Sequence, residues 1–434
     1  MYLDGISRIG VLDINHGGIL LAESLISLGF DAFAVDVYGT KKSAGSMVPV
    51  FDPEEVGDFD ALASPVHMPP VSILKKAIDE KKPVFTHHMM AGMIINSTGR
   101  LNGIRSVEVT GTYGKTTTCT MLAGILKDAG EKVLLHTSRG LYYDGILIRQ
   151  KLSITPANMI EALDTAKDAG LKPTICVFEV SLGGCGTADI GAITTLDRDY
   201  PIAGGSKRSG EAKMQMISNR KPGSDLIINS AIKIPVPNAI TFGPGGDVSF
   251  TENGRIRYNI MSGEGPVSGE FFPAFNDGFD RDAYSEPLLC AAAAALKLGA
   301  GHENIKSMLA KFHGIEGRMK NSDLQGRILL DNSNSGLSFD GILKALESTK
   351  RYNAKKVLII GEEAYNVCDG LDPEKAMNVI ENAGVDGIVL VGDRLRALNG
   401  GKHMVSDDLS SGLAIALDIT APGDLIISCV KTWR

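Results

Sequence analysis

The strongest constraint this chain places on its own fold is the stretch Val107-Glu108-Val109-Thr110-Gly111-Thr112-Tyr113-Gly114-Lys115-Thr116-Thr117-Thr118. A short apolar run passes into a glycine-bearing turn and then into a helix over 116–129, which is the layout of a phosphate-binding loop (P-loop). The glycines let backbone N–H groups point inward at a polyphosphate, and the helix start adds unpaired donors and the positive end of its dipole. Lys115 then reaches the β- and γ-phosphates as a point charge, and the Thr116 hydroxyl is placed to ligate the accompanying magnesium. The full pattern asks for a glycine five residues before Gly114, where this chain has Val109, so only the Gly-Lys-Thr core matches. The bland alternative is a glycine turn with a solvent-facing lysine. Against it, strand, glycines, Lys-Thr and helix all fall in order.

A second carboxylate-bearing strand belongs with this loop. Residues 174–180 are apolar apart from Glu179 near the end. An unpaired glutamate in a buried strand is costly, so Glu179 should sit against a cation or at the mouth of the sheet. Beside the strand that feeds the loop, it would reach the magnesium; as an edge residue it would merely face water. A strand over 192–196 runs into Asp197-Arg198-Asp199-Tyr200, again placing acids past a strand end, and a helix over 211–218 carries Lys213.

Upstream, residues 9–40 read as strand, turn (Asn15-His16-Gly17-Gly18), amphipathic helix to Leu28, Gly29, and a strand ending near Asp36. That is a right-handed βαβ unit, and its glycine turn falls where a doubly wound sheet collects ligands. The turn is not G-x-G-x-x-G, and His16 and Asp36 read equally as ligand groups or as ordinary loop residues. Strands at 61–64 and 83–85 follow, the second running into Thr86-His87-His88 as another polar loop. Downstream of Arg318, strand and helix alternate from 328 to 427, a second parallel-rich α/β layer.

The 434 residues are 44% hydrophobic and 22% charged, enough for two or three cores. A formal charge of −7 without a long Lys/Arg run gives no footprint for nucleic acid or for an anionic membrane surface, so a small-molecule substrate is expected. No purely apolar run is long enough for a bilayer, and Asp4 and Arg8 precede any apolar stretch, as in a cytoplasmic protein without a secretory signal. Six cysteines never approach a paired spacing, and eight histidines are scattered except for His87-His88, so no protein-built metal cluster is expected.

Taken together, Thr110-Gly111-Thr112-Tyr113-Gly114-Lys115-Thr116-Thr117, Glu179-Val180-Ser181, Phe312-His313-Gly314-Ile315-Glu316-Gly317-Arg318, and Asp331 followed by Asn334 resemble the Mur ligase family of ATP-dependent enzymes. The resemblance implies an α/β fold of three domains: a Rossmann-like substrate-binding domain over 1–104, a central P-loop ATPase domain over 105–317, and a Rossmann-like α/β domain over 318–434 that closes over ATP. It implies that residues 110–117 hold the nucleotide, that Thr116 and Glu179 bind Mg2+, and that Arg318, Asp331 and Asn334 complete the ATP site. Lys115, Glu179, Asp199 and Lys213 are then the catalytic set. Lys213 matches a lysine that some members carbamylate. Asn15, His16, Gly17, Gly18, Asp36 and His87 are the candidates for holding the acid.

This chain departs from the family at Tyr200, where a histidine is usual, at Tyr284 and Pro287, where asparagines are expected, and at Ser428-Cys429-Val430-Lys431, which replaces Lys-Gly-Ser. Its N-terminal residues 13–18 and 35–40 are most similar to the Mur-like ligases of methanogens that finish coenzyme F(430), the nickel tetrapyrrole of methyl-coenzyme M reductase. That narrower likeness implies that a propionate of the macrocycle is activated as an acyl phosphate and closed into a carbocyclic ring, with nickel present only as part of the substrate. An amide ligase for another small acid, and a non-catalytic nucleotide switch, are the competing readings.

Overall fold

The computed structural model describes residues 3–40, 47–197, 199–263, 265–276, 279–363, 370–397 and 399–432. It divides into two compact units, one of residues 1–274 and 286–308, the other of 275–285 and 309–434. Among the described residues the first unit holds two large sheets and a two-stranded ribbon of Pro201–Ile202 with Lys207–Arg208.

Five parallel strands form the N-terminal sheet: β1 (Arg8–Leu12), β2 (Asp31–Val35), β3 (Val50–Phe51), β4 (Ala61–Ser64) and β5 (Val84–Thr86), in the order β3-β2-β1-β4-β5. Helices α1 (Ile19–Ser27), α2 (Ser72–Asp79) and α3 (His87–Ser97) connect or follow them. The chain winds outward from β1 to β3 and then returns to the other side of β1 to make β4. This leaves the switch point, where such sheets bind ligands, between β1 and β4.

Residues 83–97 depart from the sequence reading. Thr86 is the N-cap of α3, its hydroxyl accepting from the N–H of Met89 at 3.1 Å, so His87 and His88 begin a helix and do not lie in a polar loop. Both are buried, along with Met90, Ala91, Ile94 and Ile95. A helix that is apolar on several faces must be covered on several faces, and α3 packs against α1, β4 and β5 and also against α5 (Pro156–Asp168) of the next sheet. One hydrophobic core therefore runs from Leu21 and Leu25 through Ile94 to Ile160, Leu163 and Phe178. Truncating Ile94 to alanine would remove about 2–5 kcal/mol.

The second sheet has eleven strands, and its centre is β11-β6-β10-β7. Here β6 (Arg105–Thr110) feeds the glycine loop and α4 (Lys115–Asp128) leaves it; β7 (Val133–Thr137) and the hairpin β8 (Gly140–Tyr143) and β9 (Ile146–Arg149) lie to one side. The hairpin turns at Asp144-Gly145, the turn signal in the sequence. Next to β6 on one side is β10 (Ile175–Glu179) and on the other β11 (Ile190–Ile193), both parallel to it. The strand expected at 192–196 thus begins two residues earlier and stops at Ile193. The helix expected at 211–218 is two short ones, α6 (Ser209–Lys213) and α7 (Gln215–Ser218), meeting at Met214.

The second unit carries a six-stranded sheet, Lys320–Leu324, Arg327–Asp331, Leu425–Lys431, Lys356–Glu362, Gly387–Val391 and Met404–Ser406 in spatial order. All its pairings are parallel except the first. Among the described residues no helix is long and apolar enough to cross a membrane.

Candidate active site

Backbone geometry at the glycine loop explains its composition. Gly111 has φ +147° and Gly114 φ +82°, where side-chain-bearing residues are strained. A Cβ on Gly111 would come within 2.0 Å of Thr194 Oγ1, and one on Gly114 within 3.3 Å of Pro287. Gly114 is the N-cap of α4, so the unpaired N–H groups of that helix open onto the loop. The loop is pinned from the end of β11. Thr112 N–H donates to the Thr195 carbonyl at 2.9 Å, Tyr113 N–H to Thr195 Oγ1 at 3.2 Å, and Thr194 Oγ1 to the Tyr113 carbonyl at 2.5 Å. Thr194 and Thr195 were not singled out in the sequence, since two threonines after a strand carry no signal without the strand order.

Lys115 folds back so that Nζ donates to the Gly111 carbonyl at 3.2 Å. Thr110 is buried, and its hydroxyl accepts from the Gly183 N–H at 3.2 Å; Thr117 is buried in the first turn of α4. Register places Glu179 opposite Val109 on the neighbouring strand, the adjacency on which its reach to the loop depended. The Thr116 hydroxyl donates to Glu179 Oε2 at 2.9 Å, and the Ser138 N–H donates to the same oxygen at 3.0 Å. A hydroxyl and a carboxylate, both hard oxygen donors, stand together at a helix N-terminus beside a lysine. That donor set fits Mg2+ with a nucleotide phosphate.

Lys213 is 1% exposed, and its Nζ has no hydrogen-bond partner but lies 4.9 Å from the ring centroid of Tyr200. Burial, with repulsion from Lys115, brings its pKa down to about 8 against the pull of Asp199. Tyr200 thus offers Lys213 a π face. Asp199 is occupied otherwise than expected. It accepts from Arg208 Nε at 2.9 Å, Ser209 Oγ at 2.9 Å and Gly210 N–H at 2.6 Å, and so caps α6. Burial pushes its carboxyl up, but these donors outweigh that and hold it below the usual range.

Around the N-terminal sheet's switch point the structure brings together Asn15, His16 and Asp36. Thr40 Oγ1 lies 3.1 Å from Asn15 Oδ1 and 3.3 Å from Asp36 Oδ1. Gly17 and Gly18 have a packing reason to be glycine, because a Cβ would come within 2.5 Å of Ala157 and 2.2 Å of the Asp13 carbonyl respectively. His87 is fully enclosed, and burial lowers its pKa to about 3. It therefore sits beneath the loops and not among them. His88 Nε2 donates to the Ser181 carbonyl at 2.6 Å, tying α3 to the segment after β10.

The histidines are not all scattered. His16 Nδ1 lies 2.5 Å from Asp13 Oδ2, and His67, from the loop after β4, places Nε2 3.7 Å from the same oxygen. Asp13 and His67 were missed because only the β1–β4 adjacency joins them.

In the second unit, Arg318, Asp331 and Asn334 form one local network. Asp331 accepts from the Gly317 and Ser333 N–H groups at 2.9 and 3.1 Å, and Arg318 Nη1 donates to Asn334 Oδ1 at 2.6 Å. Tyr284, buried, donates its hydroxyl to the Arg318 carbonyl at 2.6 Å.

The strand β6, the glycine loop and α4, with β10 bearing Glu179 on one side of β6 and β11 leading into Thr194-Thr195 on the other, form a nucleotide-binding P-loop site, and comparison with known proteins places it in an ATP-dependent ligase of the Mur type. Residues 109–241 match the Mur ligase middle domain, and residues 321–432 match the C-terminal domain of the coenzyme F430 synthetase CfbE. The chain is 37% identical to coenzyme F(430) synthetase of Methanosarcina acetivorans, over 98% of this chain and 99% of that one. Its fold is similar to a pseudomurein peptide ligase type C from Methanothermus fervidus (TM-score 0.53, 18% identity, 98% and 96% of the two chains). It is also similar to the MurF ligase of Thermotoga maritima in complex with ADP (TM-score 0.55, 16% identity, 88% and 93%). The chain belongs to the coenzyme F(430) synthetase family of Mur-type, ATP-dependent ligases.

Proposed function

We propose that this protein is a coenzyme F(430) synthetase, using ATP and Mg2+ to activate a propionate of a ring-open nickel tetrapyrrole (seco-F(430) acid) and to close a carbocyclic ring. The observation that carries the proposal is the Thr116–Glu179 contact at the head of the glycine loop, supported by 37% identity, over 98% of this chain, to a relative with that name.

In the first step a carboxylate oxygen of the substrate attacks the γ-phosphorus of ATP, the β–γ bridging P–O bond breaks, and ADP leaves. A ring carbon gives up its proton to a solvent base and attacks the acyl carbon; the C–C bond forms, the acyl C–O bond breaks and inorganic phosphate departs. Bound Mg2+ would neutralise charge on the phosphates, held by Thr116 and Glu179. Lys115 holds the β/γ end of the nucleotide, and the N–H groups at the start of α4, residues 114–116, orient it, so catalysis is positioning and electrostatics. Lys213, with a pKa near neutrality, either stays a cation against the activated carboxylate or reacts with CO2 to become a carbamate. In the second unit, Arg318 and Asp331 are proposed to act on the nucleotide; a wild-type turnover rate in Arg318→Ala would remove Arg318 from that role.

An amide-forming reaction is the second reading, favoured by the likeness to the pseudomurein ligase fold. ADP release separates the two. The ring-open nickel acid should elicit ADP together with a change in the visible spectrum, while amino acids and simple amines should elicit none. ADP formation driven by an amino acid, with no response to the tetrapyrrole, would overturn the proposal.

A further inference from the structure

We propose that Asp13, His16 and His67 bind a first-row divalent transition-metal centre at the switch point of the N-terminal sheet, with the two imidazoles as ligands and Asp13 as their shared anionic anchor. One ligand atom from each residue lies within 4.8 Å of the others. The three come from loops at the carboxyl ends of β1 and β4, the adjacent strands between which the winding reverses. Ligands of a bound ion at metal–nitrogen distances of about 2.0–2.1 Å stand roughly 3–3.5 Å apart, a spacing that the 2.5 and 3.7 Å contacts of His16 and His67 with Asp13 Oδ2 bracket.

Electrostatics and backbone both favour this arrangement. The Asp13 side chain is wholly buried. Its Oδ1 accepts from the Asn15 N–H at 2.9 Å, and its Oδ2 lies 2.5 Å from His16 Nδ1 and 3.7 Å from His67 Nε2. An ionised carboxylate fixing imidazole orientation is the usual support of a metal-binding histidine. Asp13 holds φ +71°, a conformation that few side-chain-bearing residues adopt. His16 and His67 are each about one-third exposed, at 33% and 32%, and their rings meet edge to face at 5.0 Å, so both reach the surface of the crevice. His87, fully buried, is within electrostatic reach of Asp13 and His67. Two imidazoles and one carboxylate suit Ni2+, Co2+ or Zn2+ and not Mg2+.

The metal can come from two sources with the same ligand chemistry: a hydrated ion, which takes both imidazoles with Asp13 as their anchor, or nickel already held in the macrocycle, which accepts an imidazole only along its axis. The second source rests on the reaction proposed above; the first does not.

The experiment uses the full chain, freed of metal with a chelator. Calorimetry and cobalt d–d absorption follow titration with CoCl2 and NiCl2 in the presence of millimolar Mg2+, and the visible spectrum of ring-open nickel tetrapyrrole acid is recorded with and without protein. Wild type should bind one equivalent of free ion, or shift the tetrapyrrole spectrum to that of an added axial ligand. His67→Ala should lose at least a hundredfold of free-ion affinity, and Asp13→Asn, which tolerates the same backbone, about ten- to a hundredfold. His16→Ala and His67→Ala together should abolish the axial shift. Melting curves report whether each variant folds, and ADP release measured in the same tetrapyrrole samples reads the ligase reaction separately. Absence of both signals in wild type, or signals unchanged in the folded variants, would overturn the site.

Discussion

Thr116 Oγ1 and Glu179 Oε2 lie 2.9 Å apart, one in the first turn of α4 and the other at the end of β10, the parallel neighbour of the strand that feeds the loop. Glu179→Gln preserves the contact's shape and removes its charge. Turnover should fall about ten- to a hundredfold, and the Mg2+ concentration for half-maximal rate should rise, with thermal stability little changed. Lys115→Ala should fall further, by about a thousandfold or more, roughly 4 kcal/mol of transition-state stabilisation. Steady-state ADP release over a Mg2+ series measures both; a Mg2+ dependence identical to wild type in the Gln variant would remove Glu179 from the site.

Gly111→Ala tests the loop without touching its chemistry. The new methyl meets Thr194 Oγ1 at 2.0 Å and Thr195 N at 3.0 Å, and the backbone stays at φ +147°. The expected result is a loss of about 1–3 kcal/mol in stability and at least a hundredfold in turnover, read by chemical denaturation and ADP release. Wild-type kinetics would mean that the turn is not held as described.

Much of this centre was legible in the sequence because it rests on local signals. A strand, two glycines, Lys-Thr and a helix are contiguous, and one glutamate in an apolar strand stands out wherever that strand lies. The Asp13–His16–His67 group was not legible. His16 and His67 are 51 positions apart, and nothing local reveals that β4 returns beside β1. His87 was misplaced for another reason. Thr86 followed by Met89, Met90 and Ala91 is a cap before an apolar helix, but the adjacent histidines looked like the polar end of a strand. Asp199 was correctly located past a strand end, yet the Arg208-Ser209-Gly210 segment that occupies its oxygens folds back only in three dimensions.

Lys213 gives a pH signature. In the folded chain it titrates at about 8, in the unfolded chain near 10.5, so below pH 8 it carries a full charge in surroundings that oppose it. That penalty lifts as the pH rises from 8 to 10.5, where the unfolded chain binds the extra proton. In CO2-free buffer Lys213→Met should therefore be more stable than wild type at pH 7, by on the order of 1–3 kcal/mol, and the difference should shrink over that window. A difference constant from pH 7 to 10.5 in urea melts would contradict the burial-lowered pKa.

The acid side is set by enclosed histidines. Burial lowers His87 to about 3 and His88 to about 4, from 6.5 in the unfolded chain. As pH falls from 6.5 toward 4 the unfolded chain takes up protons that the folded one refuses, and stability drops by about 1.4 kcal/mol per pH unit for each such group. His88→Gln keeps a donor for the Ser181 carbonyl and should make that decline shallower by about one such increment, measured by urea melts at pH 6.5 and 5. An unchanged slope would show that His88 does not stay neutral.

The central claim is that the terminal phosphoryl group of ATP passes to an organic carboxylate and not to water. Mass spectrometry of the released phosphate tests this most directly, using ring-open nickel tetrapyrrole acid with 18O in both oxygens of the reacting carboxyl group. The phosphate should carry one 18O per turnover in wild type, and Lys115→Ala should release none above background. Unlabelled phosphate formed at the rate of ADP would contradict an acyl phosphate and with it the proposed reaction.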